Sequence, residues 1–369
     1  MVEVPDVPAP RRSLLHCLAF LVYLWTVTPV RRLLGYEPIV PESSIRTEIG
    51  VRFIRYSIEN SLEGARAFEA ATSKLVSMSV PDKLTPVEDD GIRGVWIGDE
   101  YESGHDGSNE PVIVYFHGGG YSTCSALTYV TGLSGIRKAL KKIHNINMRI
   151  FSLEYSLAPE SKYPTQLNEA IAAIEYVAKE YPNRPIILMG DSAGGNLVLA
   201  VLQTLKKSPS DKLPWLKLYL IHAVDKAKEL KNRVSAAILI SPWVDIVIPP
   251  TSHEANHAYD FTSIHTLKRM TQWFLPDGAD VKDPLLSPVF ADLSGFCPMF
   301  IHYGGRESFA SDIERFIEAA KKARPALSLD VFVEPKAPHI TPMMPPFFPD
   351  MAERGHVAIA HFVAKLISS

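Results

Sequence analysis

One short segment constrains this 369-residue chain more than any other. The apolar run PIILM (185–189) leads directly into Gly190-Asp191-Ser192-Ala193-Gly194-Gly195, and a helical pattern, AGGNLVLAVLQTLKK (193–207), overlaps it. Strand, tight turn and helix in that order are the context in which a G-x-S-x-G motif presents a nucleophile. Small residues at 190 and 193–195 let the helix and the strand approach closely, and the helix N-terminus favours negative charge forming beside it. Ser192 is therefore the candidate nucleophile.

The rest of the chain repeats the same rhythm. PVIVYF (111–116), MRIFSLEY (148–155), SAAILIS (235–241), PMFIHY (298–303) and SLDVFVE (328–334) read as strands. Helical patterns lie over 62–76, 166–181 and 356–368. Short apolar runs separated by helices predict an α/β fold, with a mostly parallel sheet covered by helices on both faces. Two stretches break the alternation, 31–80 and 244–285, and both are candidates for a cap over the site. The predicted domains are an N-terminal hydrophobic segment (1–30), N-terminal helices belonging to the cap (31–84, opening on a linker over 31–45), and a catalytic domain (85–369) with a cap insertion at about 244–285. Residues 98–110 read as a polar turn.

Composition excludes several classes. Apolar residues are 46% and charged residues 21%, which rules out a disordered chain and a polytopic membrane protein. A net charge of −3 lacks the basic excess of a nucleic-acid binder. Three widely spaced cysteines, Cys17, Cys124 and Cys297, give neither a disulfide framework nor a zinc site. No metal or organic cofactor is expected.

The N-terminus departs from this soluble composition. From Ser13 to Val30 there is no Asp, Glu, Lys or Arg, and Arg11-Arg12 and Arg31-Arg32 bracket the stretch. Eighteen helical residues reach roughly 27 Å, the core of a thin bilayer. A single-pass anchor is the expectation. The alternatives are a cleaved signal peptide, which lacks an A-x-A-like site, and a helix packed on the domain, for which His16 and Pro29 argue.

The remaining chemistry follows from chain order. His117-Gly118-Gly119-Gly120 stands directly after a strand. Acyl transfer builds an oxyanion that needs preorganised N–H donors, and the amides of Gly118, Gly119 and Ala193 are the candidates. On such a fold the acid and then the base follow the serine. His339 lies in the loop after SLDVFVE and is the candidate base, whereas His302 falls inside a strand and His356 and His361 on the last helix. Glu307 is the first carboxylate after PMFIHY and is the candidate acid. Asp312, the runner-up, is expected on the next helix as a solvated charge. Tyr259, Phe261, Trp273 and Phe274 are candidates to line an apolar alcohol pocket.

Taken together, these residues resemble the hormone-sensitive lipase-like group of α/β-hydrolases. His117–Gly120 is similar to its HGGG box and Gly190–Gly195 to its GDSAGG elbow. Leu157-Ala158-Pro159-Glu160, with Tyr155 kept and Ser156 where Arg is usual, resembles its YRLAPE segment. Leu286-Ser287-Pro288 through Ser294 resembles its SPxxADLS stretch. The acid position holds Glu where most members carry Asp, and 206–233 resembles an insertion. With the N-terminal segment, this is similar to fungal steryl acetyl hydrolases and arylacetamide-deacetylase-like enzymes. That resemblance implies an anchor in the endoplasmic reticulum membrane and removal of small acyl groups from lipophilic alcohols or amides. Two alternatives are an acyltransferase or lactone-forming enzyme with the same triad, and a non-catalytic receptor on the same scaffold.

Overall fold

The computed structural model describes residues 11–101, 110–206, 230, 232–323 and 328–368. The proposed insertion (206–233) and the polar turn (98–110) lie mostly outside them. Among the described residues eight strands form one sheet: β1 (Leu84–Asp89), β2 (Ile92–Ile97), β3 (Val112–Phe116), β4 (Ile150–Leu153), β5 (Ile186–Asp191), β6 (Val234–Ile240), β7 (Met299–Gly304) and β8 (Leu329–Glu334). Their order is β1-β2-β4-β3-β5-β6-β7-β8. Strands β3 to β8 run parallel, and β2 is antiparallel to both of its neighbours.

Alternation along the central strands builds two cores. Val112, Val114 and Phe116 face one side with Leu188 and Leu239, while Ile113 and Tyr115 face the other with Ile187, Met189 and Ile238. Helices α5 (Thr165–Glu180), α6 (Ala193–Lys206) and α9 (Ala310–Ala323) cover the first side; α4 (Val130–His144) and α10 (Pro349–Ser368) cover the second. Every residue of α6 up to Leu205 is buried, which accounts for its apolar character all round.

The β1–β2 hairpin was missed among the strands read from sequence. Its turn, Asp90-Gly91, has both residues at positive φ (45° and 79°). Asp-Gly flanked by alternating residues is the local signal for such a hairpin. The region expected to be helical before it splits into α2 (Ile45–Ile58) and α3 (Leu62–Ser77), because the Ser61 hydroxyl caps α3 through the Gly64 N–H. Between β6 and β7 lie α7 (Pro250–Ala255) and α8 (Ile264–Phe274).

Leu14–Leu33 form one helix, α1, long and apolar enough to cross a membrane. One face packs on the domain: Cys17 and Leu24 meet Ile49 and Phe53 of α2. Both ends are tied down, with the Arg12 N–H on Asn60 Oδ1 (2.7 Å) and the Arg32 Nε on Glu48 (3.2 Å). The opposite face, including Leu15, Val22, Trp25 and Leu33, is exposed.

Candidate active site

Ser192 sits between β5 and α6 with φ at +52°, a conformation that costs a non-glycine residue about 1–2 kcal/mol. The surroundings enforce it. The Ser192 N–H donates to the Ile240 carbonyl at the end of β6 (2.9 Å), and the Ser192 carbonyl accepts from the Trp243 N–H (2.9 Å). A Cβ at 194 would collide with the Phe116 carbonyl, and one at 195 would come within 2.9 Å of Pro242 Cβ. The glycines of the motif are thus dictated by how closely the turn packs on β3 and β6.

The glycine box follows β3. His117 is buried and stacks on Tyr155 (centroids 4.1 Å apart), whose hydroxyl donates to the His117 carbonyl (2.7 Å). Here one expectation is corrected. The Gly118 N–H donates to Asp191 Oδ1 (2.9 Å), which also accepts from the Tyr115 hydroxyl. A backbone N–H bound inward to a carboxylate is not free for an oxyanion, so Gly118 drops out. Gly119 and Gly120, at φ +97° and +59°, face the same cavity as Ser192. The Ala193 N–H, at the first position of α6, has no intrahelical acceptor. Burial pushes the Asp191 carboxyl up to about 6, against the lowering pull of Tyr115, His339 and the Gly118 amide.

His339 lies beyond β8 and shares that cavity. Its Nδ1 faces Glu307 Oε1 at 3.6 Å, both side chains being buried. Neither atom has a hydrogen-bond partner among the described residues, so two orphaned atoms are aimed at each other at ion-pair range. The other oxygen, Oε2, accepts from the Ser241 hydroxyl (2.6 Å) and the Gly304 N–H (2.8 Å). Burial raises the Glu307 carboxyl above the usual carboxylate range. Burial alone would lower the imidazole of His339, but the carboxylates of Glu307, Asp260 and Asp191 outweigh it and leave His339 raised. The edges of Phe309 (4.9 Å) and Phe261 (5.7 Å) hold the ring.

A family model described as an alpha/beta hydrolase fold matches residues 113–340, which contain all of these groups. The chain belongs to that family. It is 29% identical over 224 residues to an acetyl-hydrolase of Streptomyces hygroscopicus, covering 60% of this chain and 66% of the relative. It is 25% identical to steryl acetyl hydrolase 1 of Saccharomyces cerevisiae, covering 65% of this chain and 56% of the relative. A solved hormone-sensitive lipase from a metagenome library is 26% identical with a TM-score of 0.66, covering 87% of this chain and 98% of that one. Within the α/β-hydrolases this chain groups with the hormone-sensitive lipase-like esterases, as its four boxes imply.

The other candidates of this α/β-hydrolase take different places. Asp312 opens α9 but points away from His339, pairing with His253 Nε2 (3.3 Å) and Arg315 (3.2 Å). It is buried, not solvated, because those two partners satisfy it. His302 is buried in β7 against Phe332, where burial pushes it down to about 3. His356 binds the Pro342 carbonyl (2.7 Å), and His361 pairs with His144 (3.0 Å).

The cavity at Ser192 is small, about 70 Å³, and lined by Ile54 and Ile58 of α2, by Leu267 and Met270 of α8, and by Phe261 and Met344. Both stretches that broke the sequence alternation therefore reach the site. Of the four aromatics expected there, only Phe261 lines it. Tyr259 belongs to a separate surface pocket under Arg306 (4.2 Å to its ring). Phe274 is buried against Tyr121 (3.9 Å), and Trp273 packs beside Arg269. Phe274 shares the face of α8 that carries Leu267 and Met270 but lies a turn beyond the cavity, and Trp273 falls off that face.

Two residues went unnoticed in the sequence. Arg66 of α3 donates to the carbonyls of Ser122 (2.9 Å) and Ala158 (2.7 Å), tying the glycine loop to the Leu157–Glu160 box. Asp260, between α7 and α8, accepts from the backbone N–H of both His339 and Ser308. No local motif marks either residue, since their partners lie 48 to 92 positions away.

Proposed function

We propose that this protein is a serine carboxylesterase that removes short, acetyl-like acyl groups from lipophilic alcohols. Ser192 Oγ attacks the ester carbonyl. His339 takes the serine proton and returns it to the leaving alcohol, and Glu307 holds the imidazole and stabilises its charged form. The amides of Gly119, Gly120 and Ala193 receive the oxyanion. Water then repeats the attack on the acyl-enzyme. The observation that carries this reading is that Ser192, His339 and the glycine loop face one small apolar cavity, with Glu307 buried behind His339.

The substrate class rests on size and lining. Ligand sites usually run to about 300–1,000 Å³, and about 70 Å³ favours a short acyl chain. The cap, formed by 31–80 and 244–285, lays aliphatic side chains over it. A series of p-nitrophenyl esters tests this: acetate to butyrate should give the highest kcat/KM, and a preference for long acyl chains would overturn the small-acyl assignment. Adding candidate alcohols separates hydrolysis from acyl transfer.

Membrane association through residues 13–30 belongs to the same proposal. The free face of α1 would meet lipid, bringing the site close to apolar substrates. Because the helix is bonded to the domain at Arg12 and Arg32, attachment in the plane of the bilayer is favoured over a span of the kind expected from length alone. Alkaline carbonate should then release the protein from endoplasmic reticulum membranes; retention until detergent is added would restore the single-pass anchor.

A further inference from the structure

Asp260 is wholly buried on the short connection between α7 and α8. Four groups donate to its carboxylate. Oδ1 accepts from the N–H of His339 (3.1 Å) and of Phe261 (2.8 Å); Oδ2 accepts from the N–H of Ser308 (2.7 Å) and the hydroxyl of Thr262 (2.6 Å). Those donors come from three pieces of the site. His339 carries the candidate base, Ser308 directly follows the candidate acid, and Phe261 and Thr262 line the substrate cavity. The connection is itself held from the cap, where the Arg55 guanidinium of α2 donates to the carbonyls of His257 and Asp260. On the other side, the Asn256 side chain donates to the Glu307 carbonyl (2.8 Å).

All four donors to the carboxylate are neutral, so its charge is not cancelled by a bonded cation among the described residues. A buried carboxylate is tolerated when several N–H and O–H groups point at it. The charge then acts on what is nearby, and the imidazole that becomes positive when Ser192 loses its proton is nearby.

We infer that Asp260 is a positioning residue for hydrolysis, which fixes the loops of His339 and Glu307 relative to the cap and adds a second negative charge favouring the His339 imidazolium. This rests on the Ser192–His339–Glu307 reading above. The groups facing His339 are Glu307 from the loop after β7, Asp260 from the cap, Asp191 from the elbow, and the Cys124 thiol and Tyr129 hydroxyl across the cavity. Of these, only Asp260 binds both loops through their backbones.

The test is Asp260→Asn in the full chain, run beside Ser192→Ala. An asparagine can keep the two bonds at Oδ1 but turns an NH₂ toward the Ser308 N–H. In folded D260N, kcat on p-nitrophenyl acetate should fall on the order of 10²-fold, with KM little changed. The acid limb of the kcat/KM profile should move to lower pH, because His339 loses a negative neighbour; a purely structural role would not move that limb. A folded D260N with wild-type kcat and an unmoved limb overturns the inference. If D260N does not fold, Thr262→Val decides: it removes one anchor of the carboxylate and should lower kcat several-fold, and an unchanged kcat refutes the positioning role. S192A separates the two levels of argument. Wild-type activity there would sink the triad and this inference with it, whereas an inactive S192A beside an unaffected D260N would sink the inference alone.

Discussion

Replacing Asp191 by asparagine isolates an energetic cost that the elbow carries. The carboxyl is completely buried, and burial moves its pKa from the ordinary 3.8 to about 6. The folded chain therefore holds that proton more tightly than the unfolded chain does. Such a group contributes most to stability below the unfolded pKa, and the contribution is lost as pH rises through the folded one. A displacement of about two units corresponds to roughly 3 kcal/mol, lost between about pH 4 and pH 6. Asparagine never ionises, and its Oδ1 can still accept from the Gly118 N–H and the Tyr115 hydroxyl. Its NH₂ would occupy the place of Oδ2, which has no partner among the described residues. That adds a penalty of about 1–3 kcal/mol, but a constant one across pH. The prediction concerns the difference curve. Measured by urea unfolding, the stability of D191N minus that of the wild type should climb by about 3 kcal/mol from pH 4 to about pH 7 and then level off. Two curves that stay parallel over that range would show that Asp191 is not perturbed. The carboxylate would then have to be read as a glycine-loop anchor held without energetic cost.

The other predictions concern the reaction groups. Ser192→Ala should lose several orders of magnitude in kcat, and an organophosphonate should label Ser192 alone; labelling of another serine would move the nucleophile. Ser192→Gly should be equally inactive yet more stable by about 1 kcal/mol, since glycine accepts a positive φ without strain; a lower Tm would argue against strain at the elbow. Glu307→Gln should cut kcat strongly while Asp312→Asn leaves kcat near wild type and lowers Tm, because Asp312 holds His253 and Arg315 instead of His339. The reverse ranking in kcat would hand the acid role to Asp312.

What could be read in the sequence was whatever local packing dictates. The glycines of the elbow are forced by neighbours within one strand–turn–helix unit, so the motif and its setting revealed them together. Glu307 and His339 were expected in the loops after two successive strands, and both lie there, after β7 and β8. Which amide of the glycine box turns inward was not legible, because it depends on Asp191, 73 positions further along the chain. The aromatics of the cap were misplaced for a different reason. Leu267, Met270 and Phe274 form an i, i+3, i+7 stripe on α8, and the stripe's end at Phe274 marks a buried position, where it meets Tyr121. That period sets aside Trp273, one position off the stripe, but groups Phe274 with the cavity-lining Leu267 and Met270, so only its burial against Tyr121 takes Phe274 out of the site. Phe261 reached the cavity because it precedes the helix and is held by the Asp260 carboxylate through its own N–H. The α1 segment shows the same limit from the other side: hydropathy measures whether a helix could cross a bilayer, but whether it does depends on what its inner face touches. Here Ile49 and Phe53 of α2 cover Cys17 and Leu24, contacts that a helix leaving the domain to span a bilayer would give up.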